Sequence, residues 1–326
     1  MAVLPPSIDP WYTAPPHYES ATPGEILRIR PGPESILTAI SFNASSIYNI
    51  LYRTTDVFSD PLSYQIPYNT VNVNHSPSYA LATEYSMYFA DITTVLERGW
   101  FVNIPDFEGP SASFSVSLES AHVTLDSIRS VIAADTELGL DIDTRNVLWG
   151  YSGGTLPSEL AAEIAASYAP ELDIAGIAIG GVIVDTEHVL RVTDNTSYAA
   201  LGPLMTLGLA TRVDGPFNVS TFYSATGMTV LEAYRVFENQ SISRYFSGGS
   251  DWLDESELRA PKEVNWHMGR LGTPKVPMFV YTAINDKVCA VEDVDSLVEG
   301  YCADGASVRY ERNTAGNYLC ENWIVS

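Results

Sequence analysis

The chain has 326 residues, 46% of them hydrophobic, and 40 Asp and Glu against 17 Lys and Arg give a formal net charge of −23. This length can bury a sizeable core and suits one α/β domain with an insertion. The charge argues against nucleic acid and anionic membranes as partners, and no stretch approaches the ~20 apolar residues of a membrane span.

Residues 1–24 are rich in Pro and polar groups and read as an extended arm. "EILRIRPGP" and "SSIYNILYRTTD" read as strands, β-branched and aromatic between Pro, Gly and Asp. "SYQIPYNTVNVN" holds a further short strand. "YSMYFADITTVLERG" reads as a helix ending at Gly99, and "WFVNIPDFEG" as a short strand running into a turn. "SLESAHVTLDSIRSVIAAD" is an amphipathic helix with Ala121, Leu125, Ile128, Val131 and Ile132 on one face. "NVLWG" is a buried strand, "YSGGT" a sharp turn and "LPSELAAEIAASYA" a helix with Pro157 in its first turn, where proline is tolerated. "IAGIAIGGVIV", residues 277–283 and "ASVRYER" are three more strands, the last two separated by a helix around "VEDVDSLVEGYCA". Strands alternating with helices predict a mostly parallel sheet flanked by helices on both faces. The interval from about 185 to 272 breaks this rhythm, with a helix in "TVLEAYRVFEN", and reads as a cap inserted over the C-terminal edge of the sheet. One domain over residues 1–326 follows.

"GYSGG", Gly150 to Gly154, matches G-x-S-x-G between a buried strand and a helix, the context this motif needs. A side chain at 150 or 154 would collide with neighbouring backbone. The turn lifts the Ser152 hydroxyl out of the sheet beside a helix N-terminus, where the Gly153 N–H can meet a developing oxyanion. The bland alternative is an ordinary glycine-rich turn. A serine nucleophile needs a base, and a carboxylate orients that base, in the chain order Ser, acid, His. Asp286, just after "MFVYTA", is the candidate acid; a solvated turn Asp is its bland reading, and Glu292 and Asp293 are rivals further from the strand end. The base should follow "SVRYER", yet no His occurs after His267 in this sequence.

The blocks "YRTTD", "SPSYAL", "GWFVNIPDFEGP", "AHVTLDSIRS", "LWGYSGG", "SYAPELDIAG" and "DKV…YCADGASVRYER" resemble, in order and over nearly the whole chain, those of the fungal secretory lipases, the yeast lipase A type. The resemblance implies an α/β-hydrolase fold with a helical cap, no cofactor or metal, and hydrolysis of small or lipid carboxylic esters by a monomeric enzyme. It puts Ser152 on the nucleophile and Asp286 on the triad acid. It also implies an oxyanion hole of the Gly153 N–H and Asp106, an aspartate that donates a hydrogen bond when protonated.

This sequence departs from the family pattern in several places. Tyr318 stands where the family's triad histidine is expected, and with an unperturbed pKa of about 10 it cannot act as a base near neutral pH. Cys302 lacks its expected partner in a C-terminal flap, leaving Cys320 as a substitute. His75 replaces a cysteine, and a strand between "YRTTD" and "SYQI" is missing. A misread splice junction after "NTAG" would account for the tail. Among the histidines His267 and His188 are the first relocated bases to test, while His122, His17 and His75 read as packing or surface residues. The first residues, "MAVLPPSIDPWYTAPP", do not read as a signal peptide, whereas five N-x-S/T sequons at Asn43, Asn74, Asn195, Asn218 and Asn239 and the resemblance imply an extracellular protein. The readings that follow are a serine ester hydrolase impaired by the absent base, or a silent or repurposed relative: a lipid or metabolite binder, a secondary-metabolite deacetylase or an acyltransferase.

Overall fold

A computed structural model describes residues 4–40, 44–54, 64–83, 86–140, 145–211, 235–236, 238–241, 262 and 265–314. Two sheets are present among them. β1 (Ile26–Pro31) and β2 (Tyr48–Tyr52) form an antiparallel pair, with α1 (Glu34–Ala39) between them in sequence. A five-stranded parallel sheet runs in the order β3 (Tyr64–Gln65), β4 (Asn146–Tyr151), β5 (Ile174–Gly180), β6 (Met278–Ala283), β7 (Val308–Asn313). Parallel neighbours need crossovers. These contain α2 (Pro77–Ala80), α3 (Phe89–Leu96), α4 (Ser117–Ala133) and α5 (Asp135–Leu138) before β4, and α6 (Thr155–Tyr168) before β5. α7 (Thr186–Thr193) and α8 (Leu201–Ala210) lie in the insertion before β6, and α9 (Val291–Ala303) precedes β7.

The α/β-hydrolase expectation holds in this architecture. The predicted apolar face of α4 is buried at Ala121, Leu125, Ile128 and Val131, and it packs with Leu148, Leu156 and Leu160 in the main core. The predicted helix over 85–99 is shorter: a 3-10 turn at Ser86–Tyr88 leads into α3, which gives way to a turn at Gly99 with φ 76°. The strand expected in "WFVNIPDFEG" is not formed as such. One main-chain bond, from Tyr64 N–H to Asn103 O at 3.1 Å, ties that segment to β3. The helix expected in "TVLEAYRVFEN" falls largely outside the described residues. In the N-terminal arm, Asp9 pairs with Arg30 at 2.9 Å, and the Arg30 guanidinium lies 4.2 Å from the Trp11 ring centroid.

Two buried acidic clusters hold the helices in place. Asp126, fully buried on α4, accepts hydrogen bonds from Thr54, Arg129 and Tyr168, so β2's C-terminal flank, α4 and α6 meet on one carboxylate. On α6, Glu163 accepts the N–H groups of Gly269 (2.6 Å), Leu271 (2.6 Å) and Gly272 (3.0 Å), where the insertion returns to the sheet. Tyr301 of α9 donates to Glu163 at 3.0 Å and also bonds Glu159. Burial, with the neighbouring Glu163 charge adding to it, pushes Glu159 well above the usual carboxyl range. One Glu163 side chain thus binds the helix after the nucleophile candidate to the return loop and to α9. Glu163→Gln puts a donor where an acceptor is needed. Its expected cost is about 1–3 kcal/mol, read by chemical denaturation, with faster proteolysis in the 269–272 loop.

Candidate active site

β4 ends at Tyr151, and the chain turns through a 3-10 turn, Ser152–Gly154, directly into α6. Ser152 takes φ 52°, a left-handed conformation that costs a non-glycine residue energy. The flanking glycines are sterically required. A Cβ on Gly150 would lie 2.2 Å from Gly154 O, and one on Gly154 would lie 1.7 Å from Gln65 O. The turn is also latched by hydrogen bonds. Thr155 Oγ1 donates to Ser152 O at 2.6 Å and accepts from Ile183 N–H at 3.2 Å. Ser158 Oγ donates to Gly154 O at 2.9 Å and also contacts Gln65 Oε1. Ser152 is 3% exposed, and the turn directs it to the N-terminal end of α6, where helix-dipole charge is positive.

β4, β5 and β6 are adjacent and parallel, so Ser152 and Asp286 both follow strand ends on the same edge of the sheet. Asp286 Oδ1 accepts the N–H groups of Val288 and Cys289, each at 2.8 Å. Its Oδ2 is buried and has no hydrogen-bond partner among the described residues. Burial raises the Asp286 pKa, against those two bonds, which lower it. A carboxylate fixed through one oxygen with the other unserved is the geometry that receives the N–H of an imidazole. Cys289, a buried thiol beside it, donates to Gly181 O at 3.2 Å.

Asp106, to which the resemblance gives an oxyanion role, is held by a serine. Both its oxygens accept from Ser78: Oδ1 from the N–H at 2.7 Å and Oδ2 from the hydroxyl at 2.5 Å. Tyr12 lies 3.1 Å from Ser78 Oγ and extends this chain to the N-terminal arm. Burial pushes the Asp106 pKa up to about 6, although the bonds from Ser78 pull it down. It can donate a hydrogen bond only while protonated, below that pH. Asp106 also borders a cavity of about 680 Å³ whose lining does not include Ser152 or Asp286.

Among the described residues no histidine hydrogen-bonds to Asp286. His188 Nδ1 is 2.6 Å from Asp293 Oδ2, which makes a half-exposed His–Asp pair between α7 and α9. His267 Nε2 lies 3.6 Å from Asp185 Oδ2. The His122 ring packs edge-on against Tyr168 with centroids 4.4 Å apart. Tyr318 and Cys320 lie outside the described residues; Cys302 is exposed and unpaired. Sequence reasoning passed over Asn69. This residue is 7% exposed, and its Oδ1 stands 2.0 Å from where a Cβ of Gly153 would be. The adjacent Thr70 N–H bonds Glu108 Oε2 at 3.3 Å. Asn69 lies 84 residues from Gly153, and no local pattern announces such a contact. Among the described residues no group of His, Cys, Asp and Glu is suited to hold a metal, and no helix is long and apolar enough to cross a membrane.

A family model described as "Secretory lipase" matches residues 74–325. A trichothecene C-3 esterase of Fusarium sporotrichioides is 38% identical over 361 positions, covering 98% of this chain and 80% of its own. Since 98% of 326 residues is about 320, roughly 40 of those positions are filled by the relative alone. A probable trichothecene esterase of Stachybotrys chartarum is 32% identical (98% and 74% covered), and lipase A of Arthroderma benhamiae is 31% identical (96% and 75%). Candida antarctica lipase A in its closed state superposes with a TM-score of 0.85 over 98% of this chain and 83% of its own, at 22% identity, a likeness of fold.

The Asp106 environment yields a pH dependence with a definite sign. Its carboxyl binds a proton more tightly folded than unfolded, so the fold carries more protons between the ordinary 3.8 and about 6. Stability therefore falls as pH rises through that window and is flat above it. In chemical denaturation, wild type minus Asp106→Asn should show this fall from about pH 4 to about pH 6. A difference independent of pH would contradict the assignment.

Proposed function

The chain belongs to the secretory lipase family, and on that premise we propose how its residues divide the work of ester hydrolysis. It is a carboxylic ester hydrolase of the lipase and esterase type. In the proposed mechanism Ser152 Oγ attacks the ester carbonyl, and the Gly153 N–H, with protonated Asp106 where pH allows, stabilises the oxyanion. The alcohol leaves, an acyl-enzyme forms, and water releases the acid. Asp286 orients the base through Oδ2. The single observation that carries this reading is that strained, glycine-flanked Ser152 and the half-served Asp286 carboxylate leave the same sheet edge.

For the substrate we propose a small ester of a hydroxylated metabolite ahead of a triglyceride. Support comes from two relatives that bear trichothecene esterase names, at 38% and 32% identity. Residues 185–272 are proposed as the cap and residues 1–24 as an arm that supports Asp106 through Tyr12 and Ser78. Secretion of the protein agrees with the family description, and exposed Asn195 and Asn239 are accessible for glycosylation.

One observation favours a second reading, the silent or repurposed relative. No histidine follows His267 in this sequence, and no described side chain serves Asp286 Oδ2. Removing the base of a serine hydrolase costs up to about 10⁶-fold in turnover.

Turnover of p-nitrophenyl acetate and p-nitrophenyl decanoate separates the two. With the sequence as given, the rate should lie within about tenfold of Ser152→Ala, since most of the cost is already incurred. Tyr318→His should raise kcat by at least about 10²-fold, the scale of one general base. The gain should vanish in Tyr318→His combined with Asp286→Ala, and acetate should be preferred to decanoate. A double variant as active as Tyr318→His alone would remove Asp286 from the proposed triad.

A further inference from the structure

Asn69 is a buried amide that no step of the proposed mechanism uses. It stands shortly after β3, whose Gln65 pairs with Gly150 of β4. β3 and β4 are parallel, so the turn after β3 and the Ser152 turn lie on one edge of the sheet. Three hydrogen bonds fix the turn that carries Asn69. Tyr88 OH donates to Pro67 O at 3.2 Å, Glu108 N–H donates to Tyr68 OH at 2.7 Å, and Thr70 N–H donates to Glu108 Oε2 at 3.3 Å. Asn69, held among them, takes φ 45°.

Its side chain is set against Gly153. Oδ1 is 2.0 Å and Nδ2 3.5 Å from the point that a Gly153 Cβ would occupy. The amide thus fills the place of a side chain on the residue whose N–H is proposed for the oxyanion. Oδ1 is buried and has no hydrogen-bond partner among the described residues. Nothing among them accepts from Nδ2 either, and this atom, unlike Oδ1, keeps accessible surface. One oxygen can accept from two nitrogens about 6 Å apart or less, at about 2.9 Å from each. Nδ2 and the Gly153 nitrogen meet that limit, because the nitrogen lies about 2.5 Å from the same point.

Backbone conformation alone does not account for asparagine here. Asparagine tolerates a left-handed φ, but glycine does so without burying an amide that lacks partners. An oxyanion hole working near neutral pH also needs donors that do not titrate away. Both Asp106 oxygens accept from Ser78, and its carboxyl, pushed by burial up to about 6, is an acceptor only above that pH. The Asn69 amide keeps its donor at any pH. Burial also pushes the Glu108 carboxyl well above the usual range, against its Thr70 bond, which favours an uncharged group beside the Asn69 turn.

We propose that Asn69 is a further catalytic residue, whose Nδ2 donates to the carbonyl oxygen of a carboxylic ester as that oxygen becomes an oxyanion. It acts together with the Gly153 N–H. This deepens the ester-hydrolase reading and rests on it. In the attack Ser152 Oγ bonds to the carbonyl carbon, the π pair of the C=O bond moves to oxygen, and the hydroxyl proton passes to the base. Asn69 exchanges no proton.

Infrared difference spectra of bound phenyl acetate, isotopically labelled at the carbonyl carbon, test it. In the Ser152→Ala chain the ester stays intact and both donors remain. The bound carbonyl stretch should lie below that of the ester in water, and adding Asn69→Gly, or Asn69→Asp at about pH 8, should remove much of the downshift. Asn69→Gly suits the backbone and Asn69→Asp keeps the shape of the side chain, so the two variants do not share a folding defect. A downshift that both keep in full overturns the Asn69 role and leaves Ser152 as the nucleophile. No downshift in Ser152→Ala alone overturns the Asn69 role together with the oxyanion hole. In the Tyr318→His chain each Asn69 variant should lose about 10²-fold in kcat for p-nitrophenyl acetate, with KM within about twofold. An unchanged kcat, beside a rate that Ser152→Ala abolishes, also overturns the proposal.

Discussion

The steric contact between Gly154 and the carbonyl of Gln65 is the constraint on which the site rests. No side chain fits at 154 without displacing β3 backbone, and none fits at 150 without displacing residue 154 itself. These two absences let β4, β3 and the start of α6 close to van der Waals distance. Ser158 then bridges α6 to Gln65 and to Gly154 O in the space between. The nucleophile candidate is thus held by three elements rather than by a loop. That is what orients a hydroxyl to within the tolerance acyl transfer demands.

A second ordering principle is the treatment of buried acid. The chain carries a large negative charge, yet several of its carboxyls lie inside. Asp126 is served by an arginine, a threonine and a tyrosine, and Glu163 by three backbone N–H groups and Tyr301. Glu108 and Glu159 each keep a buried oxygen without a partner among the described residues, and burial raises both well above the usual range. Protonation lowers their cost of burial. Asp286 differs from these two in position. Its fixed oxygen caps the loop after β6, and its unserved oxygen belongs to the sheet edge that carries Ser152.

The parts legible in the sequence were those with local causes. The buried strands at 146–150 and 174–180, the amphipathic stripe of α4 and the glycine-flanked turn all follow from periodicity and sterics over a few residues. The "WFVNIP" segment misled because apolar composition is not pairing: among the described residues, the main-chain bond that ties it to a strand runs from Tyr64 N–H to Asn103 O. The contacts of Asn69 with Gly153, of Ser78 with Asp106 and of Glu163 with the 269–272 loop were not legible at all. Each joins residues far apart in sequence, and a Ser, an Asn or a helical Glu has many uses that look alike locally. The cap and the tail lie largely outside the described residues.

The conformation of Ser152 bears on whether the chain kept its chemistry. A left-handed φ at a non-glycine residue costs about 1–3 kcal/mol, and the positions either side show that glycine is used here when sterics require it. Glycine at 152 would relieve that strain while leaving the turn intact. A protein that only bound a ligand near this turn would gain stability from that change. Serine at φ 52° therefore argues that the hydroxyl is kept for what it does. Asp286, with one oxygen tied to two backbone N–H groups and the other unserved among the described residues, poses the complementary requirement. Together they fit the proposed pairing of a nucleophile with a triad acid on one sheet edge.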